Sequence, residues 1–261
     1  MCRKHHGTPF GTGVGVTDAR FRWLTATDAV VPFRATPAFE RPFCRGCGAT
    51  VPGRSHVPDV WHVPAGLLER IDEKPRTHIF TASKAAFHTI TDSLPRFAAY
   101  PPGVTLPSVP DPARSTEAGR LTGSCLCGAI AYVSDAVPRH TVNCYCSRCR
   151  RSRGTAHNST LPCPASGFRF TRGEELLGHY ALPQAARYRT AWCTCCGSVM
   201  PTITASFDLA LLPAGSLDTP LAPLTAVHIH VASMASWFTV TDDGEQFAEL
   251  PPAERLVELL A

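Results

Sequence analysis

The sequence predicts a mainly β protein built from two copies of one unit, and three observations support that prediction. The chain of 261 residues contains 24 prolines and 19 glycines, a content that disfavours long uninterrupted helices. Short runs of β-branched and aromatic residues recur through its second half. Matching segments also occur in the same order in both halves, which indicates an internal repeat. A chain of this length can bury two ordinary cores.

The repeat is clearest at two landmarks. Phe43–Gly48 matches Trp192–Gly197 around a Cys-x-x-Cys-Gly sequence, and Pro64–Gly66 matches Pro213–Gly215. Further pairs follow in order: His78-Ile79 with His228-Ile229, Phe87 with Trp237, Thr91-Asp92 with Thr241-Asp242, Phe97-Ala98 with Phe247-Ala248, Pro101-Pro102 with Pro251-Pro252, Cys2-Arg3-Lys4 with Cys149-Arg150-Arg151, and Phe21–Trp23 with Phe168–Phe170. We therefore expect a tandem duplication: residues 1–102 (copy one), a linker at 103–119 rich in proline, serine and threonine, and residues 120–261 (copy two).

Copy one is expected to be truncated and degenerate. The counterpart of residues 120–148, which carry two Cys-x-Cys pairs, would lie before Met1. Copy one keeps only Cys2, Cys44 and Cys47, fragments of two different sites, so it is not expected to hold a metal. The neighbouring His5 and His6 are expected to be exposed at the terminus. Two explanations stay open: the start lies too far downstream, or copy one survives as a packing partner.

Copy two is predicted to be a series of short strands. The strand-like segments are Ala129–Val133, Gly167–Thr171, Leu176–Tyr180, Tyr188–Trp192, Met200–Ala205, Leu209–Leu212, Ala226–Ala232 and Trp237–Thr241. Only Pro252–Ala261 has a helical pattern, with Leu256, Leu259 and Leu260 on one face.

Paired cysteines are the strongest chemical signal. Cys125/Cys127 and Cys144/Cys146 are Cys-x-Cys pairs, and in an extended strand such residues point to the same side. A disulfide within such a pair would be strained, whereas a metal about 2.3 Å from each sulfur would not be. Cys149 and the Cys-x-x-Cys sequence at Cys193–Cys196 add further sulfurs, so we predict zinc sites. Cys163 and Cys195 are not expected to be ligands.

Composition narrows the setting. Twelve cysteines with no export signal favour reducing cytosol, and no apolar run is long enough to span a membrane. The net charge of +4 is too small to imply a nucleic-acid partner. Arg148, Arg150, Arg151 and Arg153 surround Cys149, either as a solvated loop or as a cationic loop beside a thiolate site.

In this order the motifs resemble the glutathione-dependent formaldehyde-activating enzyme family, to which centromere protein V is related. The resemblance rests on Gly-Ser-Cys125-Leu-Cys127-Gly, Cys144-Tyr-Cys146-Ser-Arg-Cys149, Cys193-x-x-Cys196-Gly, Ala214-Gly215-Ser-Leu217-Asp218, His228-Ile229 and Trp237. It implies a β-rich, Mss4-like zinc-binding fold present in two tandem copies. Tyr145 stands where the family often has histidine.

The resemblance also implies two zinc ions per chain, both in copy two. Cys125, Cys127, Cys193 and Cys196 would form a complete site, which we call the closed group. Cys144, Cys146 and Cys149 would form a reactive site with a vacant position, the open group, which suits reactive zinc.

The implied function is that of a carbon–sulfur lyase resembling S-(hydroxymethyl)glutathione synthase. A small thiol such as glutathione would bind at the open group and react with formaldehyde or another small electrophile. Arg150 and Arg151 would bind the carboxylates of the thiol and offset the negative charge of the site. His157 is expected to be a surface residue rather than a general base.

Two other functions remain open at this point. The chain could be a non-catalytic zinc module that binds protein or nucleic acid, although it has no long basic arm and no interleaved aromatic and basic residues. It could also be an inactive scaffold.

Overall fold

Short strands dominate the computed structural model, which describes residues 1–56, 59–104, 114, 116–185 and 187–260. In the described part of copy one there are helix α1 (Cys2–His6) and seven strands: β1 (Gly13–Val16), β2 (Val30–Val31), β3 (Arg34–Thr36), β4 (Phe39–Glu40), β5 (Phe43–Cys44), β6 (Gly53–His56) and β7 (Asp59–Pro64). Five of these form a sheet in the order β1-β7-β6-β4-β3, and β2 pairs with β5.

Copy two contains two further helices and twelve strands among its described residues. They are β8 (Leu121–Ser124), β9 (Ala131–Ser134), β10 (His140–Cys144), α2 (Ser147–Arg153), β11 (Asn158–Pro164), β12 (Phe168–Arg172), β13 (Leu177–Ala181), β14 (Arg189–Cys193), β15 (Val199–Met200), β16 (Thr202–Thr204), β17 (Leu209–Pro213), β18 (Thr225–Ile229), β19 (Glu245–Gln246) and α3 (Ala253–Leu260). The sheets have the orders β16-β17-β11-β10-β18-β19, β12-β9-β8 and β13-β14-β15. The mainly β prediction is confirmed.

The two copies share a register where both are complete. Gly13 of β1 lies opposite Pro64 of β7, and Thr160 of β11 lies opposite Pro213 of β17, both in antiparallel pairs. In copy two, β10 lies between β11 and β18, and it carries Cys144 at its end. No strand of the described residues occupies that place beside β1, as expected if copy one lacks the corresponding segment.

Three of the sequence predictions need correction. Trp237–Thr241 is not a strand, and Ala226–Ala232 ends as a strand at Ile229 before a 3₁₀ turn. Two helices, α1 and α2, were missed because each is only one to two turns long and lies in a polar sequence with no apolar periodicity. Most of the predicted linker, residues 105–113 and 115, lies outside the described residues.

The copies pack on each other through a shared core. Ala85 and Phe87 of copy one belong to the same buried cluster as Leu161 and Leu212 of copy two. At the polar edge of this interface, the Lys4 ammonium forms an ion pair of 2.7 Å with Asp218 and donates to the carbonyls of Ser124 and Ser216, both at 2.8 Å. A buried charge is tolerated because every proton has a partner.

The described residues include no helix that is long and apolar enough to cross a membrane.

The buried Lys4–Asp218 pair predicts a pH dependence of folding. Burial lowers the pKa of Lys4 from 10.5 to about 8, and the Asp218 carboxylate offsets only part of that effect. Between these values the unfolded chain holds a proton that the folded chain has lost, so this group makes the free energy of unfolding rise with pH, by up to about 3 kcal/mol. Denaturant titrations at pH 8 and pH 10.5 should show this rise in the wild type and lose it in Lys4→Met.

Lys74→Met is the matched control, because Lys74 is exposed. It should keep the wild-type slope. An unchanged slope in Lys4→Met would contradict the burial of a titrating lysine between the copies.

Candidate metal centres

The closed group gathers four sulfurs from two separate parts of copy two. Cys125 follows β8, Cys127 lies in the next turn, Cys193 ends β14 and Cys196 lies in the following turn. All four sulfurs lie within 4.8 Å of one another, with 3.4 Å between Cys125 and Cys127. Three of the residues are buried and Cys127 is exposed. This geometry could hold a metal ion, as the paired spacing predicts.

Cys125 and Cys127 lie in the turn after β8 and not in a strand, which corrects the expected same-side strand arrangement of this pair. Gly128 and Gly197 have φ angles of 78° and 69°, in the left-handed region that favours glycine. The Gly197 amide donates to the Cys193 carbonyl at 2.8 Å and closes the Cys-x-x-Cys turn. Ser198, which the sequence did not single out, joins the two halves: its hydroxyl accepts from the Leu126 amide at 2.9 Å and from the Cys196 thiol at 3.3 Å.

The open group lies where β10 passes into α2. Cys144 is the last residue of β10, Cys146 is the N-cap of α2 and Cys149 lies within the helix. The three sulfurs lie within 4.8 Å of one another and all three residues are half-buried. Three thiolates leave one corner of a tetrahedron free. A ligand could therefore reach a metal held here, whereas the closed group has its four sulfurs already.

Protons are unevenly shared among the sulfurs of each group. Hydrogen bonds from the Cys144 and Cys149 thiols lower the pKa of Cys146 to about 2, and the contact with Cys146 is the largest cause that raises the pKa of Cys144, to about 12. In the closed group, the hydrogen bond from Cys127 is the largest cause that lowers the pKa of Cys125, to about 7. When a divalent cation binds thiols crowded in this way, the thiols lose their protons to solvent, because the cation replaces several protons at once.

A chain of three side chains supports the open group from behind. The buried hydroxyl of Tyr145, the residue between Cys144 and Cys146, donates to His228 Nδ1 at 2.9 Å, and His228 Nε2 donates to Asp242 at 2.8 Å. Since Asp242 fixes the proton on Nε2, Nδ1 is free to accept. Tyr145 therefore has a structural role through its hydrogen bond to His228, which its position in the sequence does not reveal.

Copy one keeps the histidine–aspartate pair at His78 and Asp92, with the same contacts at 2.9 Å. It has no described counterpart of Tyr145. The pair is therefore part of the fold of each copy, and Tyr145 connects it to the cysteines in copy two alone.

The predicted cationic loop is helix α2, and its arginines differ in availability. Arg150 is half-buried and donates from Nε to the Tyr145 carbonyl at 3.3 Å. Arg151 is exposed and forms an ion pair with Glu69 of copy one. Arg153 is buried and donates to Asn158 at 2.9 Å, so it serves the fold. Arg148 is exposed.

Two histidines lie near the open group: His157, which the sequence placed at the surface, and His230, to which the sequence assigned no role. His157 is buried, not on the surface, and its burial lowers its pKa to about 3, so it is neutral at physiological pH. His230 is half-buried with a φ of 58°, and its charge contributes to the low pKa of Cys146. Its counterpart Phe80 has the same backbone at 57°, so this conformation belongs to the fold. No sequence signal distinguishes His230.

The cysteines of copy one form no group of three metal-binding side chains among the described residues. Cys2 instead accepts a hydrogen bond from Arg41 at 3.0 Å. His5 and His6 are buried, contrary to expectation, because α1 is inserted between the copies and does not fray.

Fold and site together define a mainly β protein in which one of two related copies carries two cysteine groups able to hold metal ions. The family model described as "Glutathione-dependent formaldehyde-activating enzyme" matches residues 1–83 and 120–233. The chain therefore belongs to this family, whose fold is Mss4-like, and the two matched segments correspond to two tandem copies.

No curated protein matches the chain. Among solved structures, a protein of Rhodobacter sphaeroides is 24% identical, with a TM-score of 0.33, and the match covers 40% of this chain and 99% of that one.

The two groups should respond differently to the loss of one sulfur. A four-thiolate site contributes its binding free energy directly to folding, so Cys193→Ser should cost several kcal/mol and leave little soluble protein. Cys146→Ser should remain folded and bind about one metal ion fewer than the wild type, because the open group joins only one strand end to one short helix. Thermal melts and elemental analysis of both variants measure these outcomes.

Cys163→Ser is a matched control, since Cys163 is buried outside both groups. It should keep the wild-type zinc content. If Cys146→Ser unfolds as Cys193→Ser does, the distinction between the two groups is wrong.

Proposed function

We propose that this chain is a zinc-dependent carbon–sulfur lyase-type enzyme that binds glutathione or a similar small thiol at the open group. The observation that carries the proposal is the open group itself: three half-buried sulfurs at the start of an arginine-bearing helix, with one tetrahedral position free. We further propose one zinc in each group of copy two and none in copy one. When bound at Cys144, Cys146 and Cys149, zinc would lower the pKa of a thiol so that it is held as thiolate.

The residues of the chain would bind and orient the thiol. Glutathione carries two carboxylates, and a guanidinium can bind a carboxylate through two parallel hydrogen bonds. Arg150 is the stronger candidate, because its Nε is anchored on the Tyr145 carbonyl beside the sulfurs. Arg151 would have to exchange Glu69 for a substrate carboxylate. Both arginines would also offset the negative charge of three thiolates and a bound thiol.

The proposed reaction is the addition of the thiol to formaldehyde and its reverse. A carbon–sulfur bond forms between the thiol sulfur and the formaldehyde carbon, and the thiol proton ends on the carbonyl oxygen. Positioning two small reactants is the main contribution available to the protein. Tyr145 and His228 are both buried and hydrogen-bonded to each other, so they support the site from behind.

A reducing compartment suits this chemistry. All twelve cysteines are free thiols, and we propose a cytoplasmic location on that basis.

Arginine substitutions test the proposed thiol site. Arg150→Ala should weaken glutathione binding by about 1–3 kcal/mol while zinc content stays at the wild-type level, because the guanidinium contacts the substrate and not the metal. Arg151→Ala should cost less, since its charge is already paired with Glu69. Calorimetric titration with glutathione, alongside elemental analysis, gives both quantities. Arg148→Ala, which removes an exposed arginine of the same helix, is the control and should bind normally.

A second titration, with duplex DNA at two salt concentrations, tests the alternative of a non-catalytic nucleic-acid module. Salt-sensitive DNA binding without any thiol-dependent heat would contradict the proposed function, because contacts with phosphates release counterions. Thiol binding with no turnover of formaldehyde would contradict only the catalytic part.

A further inference from the structure

Helix α2, which carries Cys149 of the open group, packs on the other copy. Its contacts include the Ala65–Leu67 turn of copy one. A second contact is the ion pair between Arg151 and Glu69, which follows that turn. A third is the amide of Thr50, which donates to the Ser152 carbonyl at 3.3 Å. The position of Cys149, one of the three cysteines of the open group, therefore depends on copy one.

The closest approach in this contact is at Gly66. A Cβ at this position would lie 2.4 Å from the Arg150 carbonyl oxygen and from the Thr155 amide nitrogen. The Arg150 carbonyl accepts the Gly154 amide at 2.8 Å, which closes the C-terminus of α2. Gly66 does not have a left-handed φ, so its own backbone would accept alanine. Only the opposite backbone, that of α2 and of Thr155 just after it, excludes a side chain there.

The same contact exists in reverse on the other side of the interface. Helix α1 packs on the Ala214–Ser216 turn of copy two, where a Cβ on Gly215 would lie 2.0 Å from the Arg3 carbonyl oxygen. Lys4 pairs with Asp218 as Arg151 pairs with Glu69. The hydroxyls of Thr91 and Thr241, equivalent residues in the two copies, meet each other. The copies are thus related by an approximate two-fold axis, and each inserts a helix into the other.

The two inserted helices differ in what they carry. Helix α2 supplies Cys149 and Arg150 to the open group, whereas Cys2 of α1 belongs to no cysteine group among the described residues. The contact at Gly66 therefore bears on the open group, and the contact at Gly215 does not. The duplication supplies an internal control for any test of this contact.

We propose that copy one acts as a built-in partner subunit that positions the open group, with Gly66 as the positioning residue. This proposal rests on the proposed function, because it concerns the same group. It gives a role to a copy whose described residues include no cysteine group of its own: the turn at Ala65–Leu67 holds α2 in the geometry in which three sulfurs converge. Copy one is then a working part of the site and not a remnant.

Gly66→Ala in the full chain tests the proposal. The added methyl group must push α2 away from copy one, so the Arg150 and Gly154 amides of α2 should exchange about ten-fold faster or more. The open group should bind cobalt more weakly, seen as loss of part of its thiolate-to-cobalt absorption. The Gly197 amide of the closed group should keep its wild-type exchange rate, which also shows that the variant is folded.

Two glycine variants serve as controls. Gly215→Ala places the same methyl group against α1, so it should speed exchange in α1 and leave α2 and the open group unchanged. Gly15→Ala adds a methyl group where nothing lies within 4 Å and should change neither helix. Equal loss of open-group cobalt in Gly215→Ala and Gly66→Ala would overturn the proposal, because the cause would then be general loosening.

A charge reversal covers the case in which Gly66→Ala does not fold. Glu69 and Arg151 are both exposed, so Glu69→Lys should remain folded and repel α2, with faster α2 exchange, at most about five-fold. Combining it with Arg151→Glu should restore the wild-type rate. The readout is exchange and cobalt absorption, since Arg151 is itself proposed to contact the thiol.

The outcomes separate this inference from the proposed function. If the wild type binds no metal at the open group, the proposed function fails and this inference fails with it. If the wild type binds metal there and Gly66→Ala binds it equally well with unchanged α2 exchange, only the present inference is wrong.

Discussion

The rest of the structure depends on one kind of contact, which occurs twice. Helices α1 and α2 each lie close to a proline-alanine-glycine turn of the other copy. Backbone atoms meet backbone atoms there, with Gly66 against Arg150 and Thr155, and Gly215 against Arg3 and Thr8. Such an approach has no room for a side chain and cannot be relieved by a change of rotamer. It joins two incomplete cores into one and brings buried polar groups, such as Lys4, to partners in the other copy.

The two cysteine groups of copy two are built differently because they hold different kinds of element together. The closed group joins the turn after β8 to the Cys-x-x-Cys turn after β14, so its sulfurs lie between two sheets. The Ser198 hydroxyl forms hydrogen bonds with Leu126 of the first turn and Cys196 of the second. The open group joins one strand end to the start of α2, and it is backed by the Tyr145–His228–Asp242 chain. A rigid backing with a free fourth position is the arrangement expected of a site that receives a ligand.

Copy one shows which features belong to the fold and which belong to the site. It keeps the histidine–aspartate pair, the left-handed backbone at Phe80 and the glycine turn, because these stabilise the fold of any copy. Among its described residues no strand carries a Cys-x-Cys pair, and Phe80 stands where copy two has His230 beside the open group. We therefore associate the residues that differ between the two copies with the chemistry of the open group.

The sequence by itself determined the duplication, the mainly β content and the pairing of cysteines at ligand spacing, because repeats and spacing are patterns along the chain, and the family resemblance implied the two groups into which seven cysteines gather. It did not determine helices α1 and α2, which are too short and too polar to have an apolar periodicity and which depend on packing for stability. It placed His5, His6 and His157 at the surface, whereas all three are buried, His157 between Phe10 of copy one and Tyr145 and Phe238 of its own copy. Only the tertiary structure decided that Arg151 faces Glu69, that Tyr145 binds His228, and that copy one supports the open group of copy two, since these are contacts between residues far apart in the chain.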